Sequence, residues 1–208
     1  FQISDRAYRR MFDDKLMDME GRENQAILIN GESGAGKTES TKQVLHYLAE
    51  VSANVLVKLG LDDPDGNDIE SQVIASNPIT ESFGNAKTVR NNNSSRFGKF
   101  IELIYTMDGC IEGATINTYL LETVRVARQA MGERNYHIFY EIFAGTTNEV
   151  KRMWGLDSLD DFHYTNQSAT MARDDGESDL DNYDKLRNAM STLELPESMQ
   201  DDIIQIVV

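Results

Sequence analysis

Cysteine is nearly missing from this chain: Cys110 is the single thiol in 208 residues. No disulfide can close within it, and the usage fits a reducing compartment. Positive charge is scarce as well, with 20 Lys and Arg against 35 Asp and Glu and a net charge of −15. Nucleic acid is thereby excluded as the main partner, because a phosphate backbone demands clustered cations. No apolar run approaches the length that spans a bilayer, and no secretory signal opens the chain. Direct membrane insertion is not expected, and a cytoplasmic location is. An initiator methionine is also missing. The chain starts at Phe1 and stops in the apolar run Ile203-Ile204-Gln205-Ile206-Val207-Val208, without a residue that terminates a helix. Those ends predict an internal segment of a larger protein. Repeats and low-complexity tracts are absent. With 40% hydrophobic and 26% charged residues, the composition is that of one large globular domain or part of one.

What is present is acid, concentrated late, with six carboxylates between Asp174 and Asp184. That cluster reads either as a site for a cation or basic partner or as a solvated loop leading into a helix, and the second is favoured. Its spacing fails the calcium-loop template. His46, His137 and His163 are too scattered to ligate a metal and read as ordinary core-edge or surface residues. Cys110 has no neighbouring base to lower its pKa and reads as structural.

The most informative stretch is Gly31-Glu32-Ser33-Gly34-Ala35-Gly36-Lys37-Thr38, a complete GxxxxGK(S/T) phosphate-binding loop. It lies between the apolar residues Ala26, Ile27, Leu28 and Ile29 and a helical pattern that begins near Lys37. A strand feeding such a turn into a helix aims backbone N–H groups and the positive end of the helix dipole at one point, where a phosphate chain can lie. Lys37 supplies charge for the β- and γ-phosphates, and the Thr38 hydroxyl can ligate Mg²⁺.

Periodicity predicts a helix from Ser4 to about Leu16, capped by Ser4 or Asp5, with Ala7, Tyr8, Met11 and Phe12 on one face. Four consecutive apolar residues at 26–29 predict a strand buried on both faces of a parallel or mixed sheet. Val44, Tyr47, Leu48 and Val51 mark the core stripe of the helix after the loop. Residues 54–68 read as a turn-rich acidic loop. A helix starts near Glu70, and Asn77-Pro78 is expected to interrupt or re-cap it. Residues 100–106 and 110–121 face each other across Met107-Asp108-Gly109, a strong hairpin signal, with Phe100, Leu103 and Tyr105 on one side of the first arm and Glu102 between them. Tyr136, Phe139, Tyr140 and Phe143 form a helical face that Gly145 terminates. Residues 154–165 read as irregular. Two more helices follow, about 183–193 and from Pro196 onward.

A phosphate loop does not by itself separate a kinase from a switch GTPase or a motor. Asn91-Asn92-Asn93-Ser94-Ser95-Arg96-Phe97-Gly98-Lys99-Phe100 adds hydroxyls, amides and a guanidinium immediately before a strand. Hydroxyls there can ligate Mg²⁺ or hold a water while amides donate to phosphate oxygens, although on composition alone a plain polar turn leading into a hairpin is favoured.

Together these motifs resemble the myosin motor domain. GESGAGKTESTK resembles its phosphate loop, NNNSSRFGKF its switch I, and NPITESFGNAKT the helix and turn between them. Asp5, Ala7, Tyr8 and Met11 fit its first helix, and YLLETVRVARQAMGERNYHIFYEI its stretch after the hairpin, so the likeness covers most of residues 1–195. Thr123-Val124 stands where the family usually has Lys-Ser, and Thr80 where it has Leu.

The resemblance implies an α/β fold: a P-loop NTPase motor core with a mixed central sheet flanked by helices, incomplete in this segment. Residues 1–208 would be part of one motor domain. Within it, 26–51 form strand, phosphate loop and helix, 54–68 loop 1 near the nucleotide mouth, 91–100 switch I, and 100–121 the hairpin. It also implies an ATP-dependent, actin-based motor that hydrolyses MgATP by in-line attack of water, in the full-length protein rather than in this segment alone.

Under the resemblance, Gly31, Glu32, Ser33, Gly34, Ala35, Gly36, Lys37 and Thr38 cradle the triphosphate, and Thr38 and Ser95 ligate Mg²⁺. Asn91 touches phosphate oxygens, Ser94 holds the γ-phosphate and attacking water, and Arg96 pairs with a switch II glutamate. Its implied partners are actin filaments, through regions outside this chain, and light chains or calmodulin on a neck. Its implied setting is the cytoskeleton. A DxxGFE-type switch II is absent from these residues. Asp63-Pro64-Asp65-Gly66 matches DxxG formally but reads as loop. Two alternatives stay open: a scaffold that binds ATP without cycling, and another P-loop phosphoryl-transfer enzyme. The intact Lys37, Thr38, Ser95 and Arg96 argue against the scaffold.

Overall fold

Amphipathic periodicity places about half of the described residues in helices, and glycines, a proline and two short ladders redirect the chain between them. The computed structural model describes residues 1–12, 24–32, 34–60 and 69–208. Two units result: Phe1–Ile74 with Ile101–Ile116, and Ala75–Phe100 with Asn117–Val208.

The first unit opens with α1 (Gln2–Met11). It starts earlier than the expected Ser4 or Asp5 cap, because Asp5 is engaged elsewhere. Its carboxylate accepts from Arg9 one turn on and from the Tyr47 hydroxyl at 2.7 Å. The continuation expected to Leu16 lies outside the described residues. Helix α2 (Lys37–Leu59) buries Leu45, Leu48, Ala49 and Ser52. The deepest positions are thus rotated slightly from the expected stripe, whose Val44, Tyr47 and Val51 are only half-buried.

Residues 54–59, expected in a loop, continue α2 until Gly60 adopts a left-handed cap. Asn54, Val55, Leu56 and Val57 carry no breaker, and the Asn54 side chain bonds back to the Glu50 carbonyl at 2.8 Å. The rest of that loop, including the DxxG match, lies outside the described residues. Across this unit Tyr8 donates to the Gly109 carbonyl at 2.8 Å, its ring meets Tyr105 edge-on, and the Ser52 hydroxyl accepts the Ile111 N–H at 2.6 Å.

Helix α3 (Ile69–Gly84) carries Pro78 inside it. The expected interruption at Asn77-Pro78 does not occur, and compensation is visible around it. Thr80 donates to the Ser76 and Asn77 carbonyls, and the Lys99 ammonium bonds Asn77 Oδ1 at 3.1 Å and Thr80 Oγ1 at 2.9 Å. These contacts brace the turn that the proline weakens.

In the second unit β1 (Asn85–Thr88) pairs antiparallel with β2 (Asn91–Ser95), with a register irregularity between Ala86 and Thr88. Strands β3 (Gly98–Tyr105) and β4 (Ile111–Tyr119), whose residues 101–116 belong to the first unit, form the hairpin, its turn closed by Thr106 N–H on the Cys110 carbonyl at 2.8 Å. Along β3, exposure alternates so that Ile101, Leu103 and Tyr105 turn inward, while Phe100 shares the exposed side with Glu102. The expected inward Phe100 was one residue out of phase with the period of two.

Helices α4 (Val124–Ala127), α5 (His137–Gly145), α6 (Asn148–Trp154), α7 (His163–Asn166), α8 (Asp179–Thr192) and α9 (Glu197–Val207) complete this unit. Its core gathers Ala86, Tyr136, Ile138, Ile142, Leu156, Leu186, Met190 and Ile204.

The mixed central sheet is the main expectation the structure corrects. Among the described residues the strands form two separate two-stranded ladders. Ala26, Ile27, Leu28 and Ile29 run outside any ladder, with Ile27 and Ile29 half-buried and Leu28 87% exposed. A strand apolar at successive positions needs cover on both faces, and the described residues cover one. The α/β class stands; the sheet is smaller than the resemblance implies.

Candidate functional site

The predicted site residues fall in both units, residues 31–38 in the first and 91–96 in the second. In the first, the loop is held open by backbone geometry: Gly34 and Gly36 have φ of 82° and 84°, which L side chains avoid. Gly36 caps α2 without a side-chain bond to the first helical N–H groups, so those donors and the helix dipole face the loop. Lys37, the first helical residue, folds back, and its ammonium bonds the Gly31 carbonyl at 2.7 Å and the Glu32 carbonyl at 2.8 Å. A cation on a loop of exposed backbone is a cradle suited to an anion. Thr38 is half-buried on the first turn, and Ser33 lies outside the described residues.

Around 91–96 the second unit is far more cross-braced. Asn91 N–H donates to Thr88 Oγ1 at 3.1 Å, and Asn91 Oδ1 accepts the Asn93 N–H at 2.9 Å. Asn92 Oδ1 accepts the Asp174 N–H at 3.1 Å. Asn93 bonds Glu81, Asn85 and His137. Ser94 is buried and accepts from Arg96 Nη1 at 3.0 Å; Ser95 is exposed. The structure therefore brings Ser94 and Arg96 together directly.

Arg96 also has a carboxylate partner that the sequence reading missed. Its Nε reaches Glu122 Oε2 at 2.7 Å, and Arg125 reaches the same oxygen at 2.7 Å. Burial pushes the Glu122 carboxyl up, but its hydrogen bonds and charge contacts with the two guanidiniums outweigh that and hold it below the usual range. The only sequence signal was an acid at the end of Leu120-Leu121-Glu122, with nothing to tie it to a residue 26 positions earlier.

The acidic cluster is neither a bare solvated loop nor a metal site, since no His, Cys, Asp or Glu group suited to a metal occurs among the described residues. It is a strap of ion pairs. Asp174 meets buried Lys87 at 3.1 Å, Asp175 meets Arg173, and Asp179 takes both terminal nitrogens of Arg134 at 3.1 and 2.8 Å. Arg134 is fully buried and lies over the Tyr140 ring, 3.7 Å from its centre. Beneath it α5 buries two titratable groups one turn apart. Burial, then Arg134 and Arg173, push His137 down to about 3; burial pushes Glu141 up to about 7.

A family model of the myosin head (motor domain) matches residues 1–208. The chain is 44% identical over 207 residues to a myosin-I heavy chain of Dictyostelium discoideum, covering all of this chain and 8% of that protein. Against myosin-7 of Arabidopsis thaliana it is 45% identical over 207 residues, again all of this chain and 11% of the relative. Against a myosin IA heavy chain of Dictyostelium discoideum it is 40% identical over 98% of this chain and 19% of the relative. The chain thus spans less than a fifth of these relatives. With a glycine-opened loop in one unit and a braced Asn-Asn-Asn-Ser-Ser-Arg strand in the other, it belongs to the myosin head (motor domain) family.

Proposed function

We propose that this chain is the nucleotide-handling part of an ATP-driven, actin-based motor head. The observation that carries the reading is the preparation of both motifs for phosphate chemistry. Lys37 sits on the loop carbonyls, and Ser94 is already bonded to Arg96.

Residues 31–38 bind the triphosphate through backbone N–H groups, and Lys37 exchanges its carbonyl contacts for phosphate oxygens. Asn91 donates to phosphate, and Ser94 orients the γ-phosphate and the attacking water. Thr38 and Ser95 would hold Mg²⁺, which supplies charge neutralisation at the phosphates. Arg96 would reach a switch II glutamate from beyond this chain through the guanidinium N–H groups it does not use on Glu122 and Ser94, and Arg125 shares the balancing of the Glu122 charge. Weak hydrolysis by the segment alone would follow from the absence of a switch II motif among these residues and of a full sheet among the described ones.

Actin filaments would bind through regions outside these residues, with light chains or calmodulin on a neck, placing the motor on the cytoskeleton. No helix among the described residues is long and apolar enough to cross a membrane.

Arg96→Ala in the full-length protein tests the assignment. ATP binding should stay within about threefold while single-turnover hydrolysis falls about a hundredfold. Equal loss of both would show that Arg96 serves ground-state binding instead.

A further inference from the structure

Three elements of the second unit converge on one carboxamide in β2. Asn93 Nδ2 lies 3.1 Å from Glu81 Oε2 on α3. Its Oδ1 lies 2.9 Å from Asn85 Nδ2 on β1 and 3.1 Å from His137 Nε2 at the start of α5. The orientation is determined by chemistry. A carboxylate can only accept, so the Asn93 NH₂ must face Glu81. The carbonyl end then faces Asn85 and His137, and an acceptor at that position requires a proton on His137 Nε2.

His137 is 2% exposed, and the nearby guanidiniums of Arg134 and Arg173 oppose a second proton on it. The neutral Nε2–H tautomer follows. Its backbone is fixed as well. Asn135, two residues before the helix, donates to the Val126 and Tyr164 carbonyls and accepts the Tyr136 N–H at 2.8 Å.

We propose that His137 is a positioning residue for switch I. By donating from Nε2 to Asn93 it sets the pose of the β2 face that carries Asn93 together with Asn91 and Ser95, since alternate residues of a strand share a face. The structural part stands on the hydrogen-bond geometry alone. The catalytic consequence rests on the ATPase reading above, because Asn91 and Ser95 are its phosphate and Mg²⁺ residues. His137 touches neither substrate nor metal and acts only through the strand.

The test uses the full-length protein with His137→Leu, which fills space without a donor, and His137→Gln, whose Nε2 donates from a similar reach. Hydrogen exchange read by mass spectrometry should show β2 amides of His137→Leu opening about tenfold more readily, the worth of one buried hydrogen bond, with β2 of His137→Gln close to wild type. Single-turnover hydrolysis should slow in His137→Leu with ATP binding unchanged, and recover in His137→Gln. Unchanged β2 exchange in His137→Leu overturns the proposal, as does a Gln variant as impaired as the Leu variant.

If β2 exchange responds as expected but the wild-type protein does not hydrolyse ATP, the functional reading fails and the positioning role stands. Should His137→Leu not fold, Asn93→Ala replaces it. Raised β2 exchange there, with α8 and α9 unaffected, supports the proposal, and wild-type exchange overturns it.

Discussion

Residues 31–38 and the strand at 91–95, the two stretches proposed to meet the nucleotide, present their polar groups by opposite means. The loop is exposed backbone bent by glycines and tied by one lysine. The strand is flanked by buried side chains, and its three asparagines bond residues on α3, β1, α5 and the acidic strap. A backbone cradle depends on local conformation, so few residues specify it and each is indispensable. A cross-braced strand distributes its specification, so most single changes weaken its pose without erasing it.

The largest expected effect tests the first half of that contrast. Lys37→Ala in the full-length protein should reduce ATP hydrolysis by about a hundredfold or more. Melting temperature should hardly move, since among the described residues the Lys37 ammonium bonds only loop carbonyls. A large drop in melting temperature would mean the loop is structurally integrated after all.

Next comes Arg134→Leu, which leaves Asp179 facing the core without its bidentate partner. Local stability of α5 and α8, from hydrogen exchange, should fall by about 3 kcal/mol, with nucleotide affinity less affected. Equal damage to affinity would show that the strap and the nucleotide residues act as one unit.

A subtler break lies in the two titratable groups of α5. His137 is lowered from 6.5 to about 3, so opened chains take the proton first, and stability is lost as pH falls from 6.5 toward 3. Glu141 is raised from 4.5 to about 7, so opened chains lose the proton first, and stability is lost as pH rises from 4.5 toward 7. Between pH 4.5 and 6.5 the slopes oppose each other, and local stability of α5 should be nearly flat. His137→Gln should expose a fall and Glu141→Gln a rise, each up to about 1.4 kcal/mol per pH unit. Flat profiles in both variants, after correction for intrinsic exchange, would refute the opposed pair. The smallest effect is Tyr8→Phe, which loses the bond to the Gly109 carbonyl and should lower hairpin stability by about 1 kcal/mol.

Legibility in the sequence follows the same division. The loop was readable because its requirement, glycines before a lysine at the start of a helix, is local. The hairpin announced itself through Asp108-Gly109, and α8 and α9 through apolar spacing and Pro196. Glu122 and His137 were not readable as site residues. Their partners Arg96 and Asn93 lie 26 and 44 positions away, and only the fold joins them. Pro78 misled because its local rule holds for isolated helices, whereas here Lys99 braces the turn from outside and Thr80 from within the helix. Residues 26–29 misled in the other direction: their pattern states what cover the strand requires, and the described residues supply part of it.

If these two differently built motifs serve an actin-coupled ATPase, product release must answer to the filament. Phosphate release by the full-length protein, followed in MgATP as filamentous actin is added, tests it most directly. Release should accelerate with actin concentration to a plateau and disappear in Lys37→Ala. Bound MgATP with a release rate indifferent to actin would contradict it.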